Sequence, residues 1–437
     1  MTPIPPTRRG ACPAFLTPME TGDGLILRLV PSDGRLAPAQ LRGLADAARR
    51  FGNGMMEVTA RGSLQVRGLT PETVGALQVA VVALGITPRI GLAVDVSPLG
   101  GLDPSEIADG RPLAAAILAG AEHLAGQSGP KVSVVVEGGG AVSLAGQKAD
   151  VRLVAAGPEH WALTIGNGPA RVLSEAEAAS DALAALSAIA AMGRAARATD
   201  LPGCGGRARL AEAVPPLGRM PLADGTLAFG FGLPFGAGDA GQFAAIADAA
   251  EAAGARDLRP APERTLIATG LSEGAADTFS ARLAALGCIT APGDPRARVA
   301  ACAGAPACAS AHIPARALAP VLAEAFAPLL DGTVSLHLSA CTKGCAHPAP
   351  ATLAFVGMDA GMDAGVALVH DGPASGAARP VRPAADFPAA VAAFAAMLAA
   401  RRAPGETTRA LLARLDPACL WAGAATNRTD DVTSRAE

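Results

Sequence analysis

The second half of this sequence repeats the first at a fixed distance, and that limits the folds open to it. "SLQVRGL" at 63–69 matches "TLIATGL" at 265–271, 202 residues further on. The same offset carries "ALGI" (83–86) onto "ALGC" (285–288), and "DAA" (46–48) onto "DAA" (248–250). It also carries "KVSVVVEGG" (131–139) onto "TVSLHLSAC" (333–341), while "DGLILRL" (23–29) matches "DGTLAFG" (224–230) at an offset one shorter. Several matches at one offset, in chain order, indicate two copies of one structural unit.

Each copy reads alike. A strand (25–29, then 227–233) leads into an Ala-rich helix (39–51, then 241–253), and a second strand (63–67, then 265–269) precedes another helix (71–84, then 273–286). This β-α-β-(β)-α order is the split unit of a ferredoxin-like half-domain. A loop, a helix (112–125, then 315–329) and an alternating strand follow, with Val132, Val134 and Val136 answered by Val334, Leu336 and Leu338. The segment 172–200 reads as a helix entered through a Ser-x-x-Glu or Glu-rich cap. Residues 201–221 are the Pro/Gly-rich joint between copies, and the tail past about 425 has the composition of a disordered end. The expected fold is α+β with pseudo-two-fold symmetry. Ferredoxin-like half-domains at 15–88 and 218–290 are each followed by an α/β domain, at 89–200 and 295–400.

Composition excludes several classes. The formal net charge is −3, from 36 basic and 39 acidic residues, so there is no electrostatic footprint for nucleic acid. No apolar run is long enough to span a bilayer, and "MTPIPPTRRGACPAF" has no apolar segment ahead of a cleavage site. The expectation is a soluble cytoplasmic protein without a membrane partner. Aromatics make up 3% and tyrosine is absent, so the core must pack Ala, Leu and Val closely. No G-x-G-x-x-G follows a strand, which argues against a dinucleotide domain.

Eight cysteines are sparse for 437 residues, and metal or redox use fits better than a disulfide framework. Four of them form two pairs: Cys302 and Cys308 bracket "AGAPA", and Cys341 and Cys345 bracket "TKG". At the same offset the first copy has Gly100, Glu106, Gly139 and Ser143, so the thiols belong to one half only. Two short opposed loops can present four thiolates to a [4Fe–4S] cluster. Structural zinc is the alternative, although a five-residue gap is long for a zinc knuckle. Inert buried thiols are the other. Cys12, Cys204, Cys288 and Cys419 have no partner at ligand spacing, and Cys288 reads as core.

A duplicated ferredoxin-like unit with C-x5-C…C-x3-C in its second copy resembles the sulfite and nitrite reductase hemoprotein family. Within it, "RRGACPAF", "VSPLGGLDP", "ACAGAPACASA" and "CTKGCAHP" are similar to the precorrin-3B synthase branch, and the likeness runs from residue 8 to about 400. The resemblance implies a [4Fe–4S] cluster on Cys302, Cys308, Cys341 and Cys345. In the reductases the last of these also ligates siroheme iron. It implies a tetrapyrrole pocket holding Arg61 and Gln65, from the match of "TARGSLQ" to T-x-R-x-x-x-Q. Arg suits a macrocycle rich in carboxylates, which it binds bidentately; the other reading of Arg61 is a solvated strand face.

Lys131 stands where the reductases have the first of two active-site lysines, Ser133 replaces the second, and "GLAVDVSPLGG" offers no clear arginine. That loss argues against reduction of a small oxyanion. The branch implies a monooxygenase of aerobic cobalamin biosynthesis that hydroxylates precorrin-3A at a meso carbon with γ-lactone formation. Arg61 and Lys131 would then be the catalytic residues, and Arg61, Gln65 and Lys131 would bind substrate. O2 would be consumed, with electrons from NADH arriving through a separate reductase. A mononuclear iron is also implied, with His312, His337 and His347 all near enough in sequence to serve. A siroheme-dependent sulfite or nitrite reductase remains the second reading, and a non-enzymatic electron carrier or zinc-stabilised tetrapyrrole-binding protein the third.

Overall fold

The alternating and helical patterns of the repeat become two strings of matching elements in the computed structural model, which describes residues 13–206, 214–361, 363–377 and 382–423. The chain divides into two compact units, residues 1–292 and 293–437. Among the described residues no helix is long and apolar enough to cross a membrane.

In the first unit, β1 (Met19–Thr21), β2 (Gly24–Leu29), α1 (Pro38–Phe51), β3 (Met55–Val58), β4 (Leu64–Leu69) and α2 (Pro71–Ala83) form the first half-domain. Next come β5 (Ala93–Val96), α3 (Arg111–Gly120), β6 (Ser133–Glu137), β7 (Val151–Gly157), β8 (His160–Ile165), β9 (Arg171–Ser174) and α4 (Glu175–Ala191). The second half-domain is β10 (Gly218–Pro221), β11 (Leu227–Gly232), β12 (Ala237–Asp239), α5 (Ala240–Ala252), β13 (Asp257–Ala261), β14 (Thr265–Leu271) and α6 (Glu273–Ala285). The second unit carries β15 (Val299–Ala301), α7 (Ala315–Phe326), β16 (Leu336–Ser339), β17 (Ala351–Asp359), β18 (Ala364–Gly372), β19 (Arg382–Pro383), α8 (Phe387–Ala400), α9 (Thr408–Arg414) and α10 (Pro417–Gly423).

Sheet order shows the duplication directly. The half-domain sheets run β1-β2-β4-β3-β12 and β10-β11-β14-β13; the α/β sheets run β5-β6-β7-β8-β9 and β15-β16-β17-β18-β19. The two half-domains interlock, because β12 of the second pairs antiparallel with β3 of the first. Leu64, Val66 and Leu69 of β4 share one buried core with Leu41, Leu44, Ala45 and Ala48 of α1 and Phe243, Ile246, Ala247 and Ala250 of α5. Alanines at this seam let the two helices approach closely, as a core poor in aromatics requires. Across its rim Arg42 reaches Asp248 at 2.6 Å and also pairs with Glu251.

The 172–200 segment differs from the helix expected. Residues 171–174 pair with β8 as β9, since Val172 and Leu173 suit a ladder position. The helix begins after Ser174, whose hydroxyl accepts from the Glu177 N–H while the Glu177 carboxylate takes the Ser174 N–H at 3.0 Å. It ends at Ala191, two residues before Gly193 at φ +100°. The tail past 425 lies outside the described residues.

Register also corrects the equivalence between copies. Leu336 stands 202 residues after Val134, yet Val134 pairs with Val94 and Leu336 with Val299, 205 residues after Val94. A three-residue insertion therefore precedes β15. Cys302 and Cys308 answer to Ser97 and Asp103, not to Gly100 and Glu106. No cysteine stands at either pair.

Candidate functional site

In the second unit, β15 and β16 are parallel neighbours, with Ala301 paired to Leu338. Both cysteine pairs sit in the loops leaving the carboxyl ends of these two strands, where parallel sheets commonly bind ligands. The Ala340 N–H donates to Cys302 Sγ at 3.2 Å, tying one loop to the other. His312 N–H to Ala340 O at 2.9 Å adds a backbone tie, and Lys343 Nζ reaches Ser310 Oγ at 2.8 Å. Gly304, at φ +72°, lets the Cys302 loop press on the start of α7, where an added Cβ would lie 2.3 Å from Ala315 N.

The four thiols lie within one another's electrostatic reach. Burial pushes the Cys302 thiol up, Cys341 and Cys308 push it further, and the N–H groups of Ala340 and Gly304 oppose both. Cys341 is raised by burial and by Cys308, against the Lys343 N–H and charge. Cys345 is pushed up to about 11 by burial and then by the other three thiols. Thiols that resist ionisation, as Cys302, Cys341 and Cys345 do, become thiolates readily when a cationic centre neutralises them, and N–H donors to sulfur are the usual support for an iron–sulfur cluster. The donor set fits a [4Fe–4S] cluster.

The imidazoles divide. His337 is fully buried on β16 and its ring meets that of His347 edge to face, centroids 5.7 Å apart, while His312 takes part through its backbone. Among the described residues no three His, Cys, Asp or Glu side chains stand together as a site for a single metal ion. Cys288 is buried in the half-domain core, as expected.

Gly304→Ala tests the loop geometry without touching a ligand. The strain of a positive φ, about 1–3 kcal/mol, adds to the backbone clash. The variant is expected to be purified with much less cluster iron and sulfide than wild type. Gly293→Ala, with open space around its Cβ position, should match wild type.

The first unit holds a second candidate site, a cavity of about 720 Å³, within the range of small-molecule pockets. Arg35, Arg61, Arg89, Arg111 and Arg259 line it, with Asp33, Asp95 and Gln147. Arg61 lies in the turn between β3 and β4 rather than on a strand. Its Nη2 donates to Asp95 Oδ2 at 2.6 Å and its Nη1 to the Lys148 carbonyl at 2.6 Å. Arg89 Nη1 donates to Asp95 Oδ1 at 2.8 Å and to the Val94 carbonyl at 2.9 Å. Burial would raise the Asp95 carboxyl, but the Arg89 and Arg61 charges hold it below the usual carboxylate range. Arg259 grips Asp257 with Nε and Nη2 at 2.8 and 3.0 Å and the Pro98 carbonyl with Nη1 at 2.7 Å.

Of the three substrate residues expected from the sequence, only Arg61 lines this cavity. Gln65 is buried on β4, and in the amide orientation that satisfies both ends it donates to Glu57 at 2.9 Å and accepts from Arg28 at 2.8 and 3.0 Å. Lys131 is exposed in the turn before β6. Arg89, Asp95 and Arg259 were missed. A carboxylate inside the otherwise apolar "AVDV" was the available signal, since such a group is seldom buried without a cation.

Residues 17–83 match the nitrite/sulfite reductase ferredoxin-like half domain. The fold is similar to the solved structure of the Mycobacterium tuberculosis NirA protein, with TM-score 0.69 and 20% identity over 91% of this chain and 84% of that one. A precorrin-3B synthase from Sinorhizobium sp is 35% identical over 94% of this chain and 93% of its own length. Likeness of that extent, on a duplicated fold with four thiols in its second copy, places the chain in the precorrin-3B synthase family, oxidoreductases built on the sulfite and nitrite reductase fold.

Proposed function

We propose that this enzyme converts precorrin-3A to precorrin-3B, hydroxylating a meso carbon and closing an acetate arm to a γ-lactone. The observation that carries the reading is the near full-length likeness to the Sinorhizobium precorrin-3B synthase. One atom of O2 enters the macrocycle and the other leaves as water, which consumes two electrons and two protons. NADH is their source, through a separate reductase.

Cys302, Cys308, Cys341 and Cys345 hold the [4Fe–4S] cluster. When bound, that cluster supplies single electrons. The chain's own residues bind and orient. Arg61, fixed by Asp95 and the Lys148 carbonyl, presents a guanidinium to the cavity at no further ordering cost. Gln65 holds Arg28 and Glu57 in register behind it. Lys131, at the mouth of β6, offers a mobile charge to an outer carboxylate. Ser133 is buried, with its N–H on Asp150 at 3.0 Å, and offers no cation for an oxyanion.

The test supplies the protein with a chemical reductant and precorrin-3A under labelled O2, and separately with sulfite or nitrite without O2. One labelled oxygen in the macrocycle, with no sulfide or ammonia, is expected. Rapid sulfide or ammonia formation with a siroheme spectrum would overturn the reading in favour of a reductase.

A further inference from the structure

The five arginines of the cavity are not equivalent. Arg111 is paired with Asp109, and Arg35 and Arg259 share Asp257 with Asp33 also on Arg35. Those groups cancel. Around Asp95 two guanidiniums meet one carboxylate, so this is where the cavity wall keeps a surplus positive charge. The geometry there is that of an anion receptor with its anion in place. The two oxygens of Asp95 are gripped from separate sides at 2.6 and 2.8 Å, and each arginine is braced by a backbone carbonyl. Asp95 is 13% exposed, so its carboxylate is reached from the cavity but does not swing free.

We propose that Asp95 is a specificity-determining residue, an internal occupant of the anion position between Arg61 and Arg89. It denies that position to small inorganic oxyanions and leaves the outer edges of both guanidiniums for a carboxylate arm of a larger ligand. An entering sulfite would have to displace a carboxylate that is covalently part of the wall, and would meet its negative charge at contact distance. A carboxylate on a long arm needs only the guanidinium edges that face the cavity. The proposal deepens the reading that the ligand is a carboxylated macrocycle and rests on it for the identity of the arm; exclusion of small anions stands on the geometry alone.

The experiment compares wild type, Asp95→Asn and Asp95→Ala for binding of sulfite by calorimetry and by ligand-induced shift of the thermal midpoint. Binding of uroporphyrin and of a cationic porphyrin follows by fluorescence quenching. Asp95→Asn, which keeps the shape and removes the charge, is expected to bind sulfite on the order of ten- to a hundred-fold more tightly than wild type. Asp95→Ala should do the same or better, and if it fails to fold the Asn variant alone decides. Arg89→Gln in the Asp95→Asn background should abolish the gain. Arg89→Gln alone should weaken uroporphyrin roughly tenfold or more and leave the cationic porphyrin unchanged. The exposed Arg171→Gln is the control. Equal sulfite affinity in wild type and Asp95→Asn, at whatever level, overturns the proposal. The synthase reading fails separately: if Asp95→Asn gains sulfite while wild type leaves precorrin-3A untouched, the filter stands and that reading falls. If precorrin-3A is oxygenated but sulfite binding never changes, the reverse holds.

Discussion

Cys341→Ser is expected to strip most of the iron and acid-labile sulfide from the protein, and Cys302→Ser, Cys308→Ser and Cys345→Ser should each do likewise. A serine hydroxyl is a hard, weakly acidic donor where the cluster needs a soft thiolate. The surroundings cannot compensate, because burial and neighbouring thiols already oppose a further anion at Cys302, Cys341 and Cys345. The control is Cys288→Ser, set in the apolar core between the half-domains at 3% exposure. It should cost about 1–3 kcal/mol through a buried hydroxyl and leave iron and sulfide close to wild type. Iron and sulfide assays on parallel preparations decide the matter. Full cluster content in all four ligand variants would remove the assignment.

Phe355→Ala should unfold the second unit more readily than any surface change. Its ring is fully buried on β17 and meets Phe326, Phe387, Phe394 and Trp421 edge to face, with centroids 6.0, 5.7, 6.4 and 5.2 Å away. In a chain with so few aromatics these five rings form one contiguous buried cluster in the second unit. Truncation is expected to cost about 3–5 kcal/mol, because the four neighbours cannot collapse into the space at once. Phe355 also pairs in register with Leu338, three residues before Cys341, so the loss reaches the cysteine loops. A lowered urea midpoint for the second unit, with weaker cluster retention, is the expected result. Val172→Ala, 63% exposed in the first unit, should stay within about 0.5 kcal/mol of wild type. An unchanged midpoint for Phe355→Ala would mean that the aromatic group does not carry the unit.

What could be read from the sequence was local and periodic. The helices at 38–51 and 71–83, and their partners 202 residues on, follow from apolar spacing closed by Gly52, Gly85 and Gly287. The strand after 131 and the four-thiol loops were legible for the same reason, being contiguous. Strands β7 and β8 were not identified, although Val151, Leu153 and Ala155 alternate cleanly with less buried neighbours. Three features resisted for a physical reason. The Arg61–Asp95–Arg89 contact joins a hairpin turn, a loop and a parallel strand, and no spacing announces it. The three-residue insertion before β15 is silent in the sequence because the flanking elements still match at 202. Gln65 was placed in a pocket by its motif, yet its amide serves Arg28 and Glu57 across the sheet, a cross-strand relation set by register.

The first α/β sheet has the strand order of the second and closes the ends of its parallel strands without any thiol. Asp103, at the place of Cys308, accepts the Ala141 N–H at 2.6 Å, and Ser143, at the place of Cys345, donates to Glu137 at 2.6 Å. Ordinary hydrogen bonds thus suffice to hold such a pair of loops together. In the second sheet the Ala340, His312 and Lys343 bonds play the same part. The cysteine loops are thus joined by the chain's own hydrogen bonds, and Cys302 serves in one of them as an acceptor.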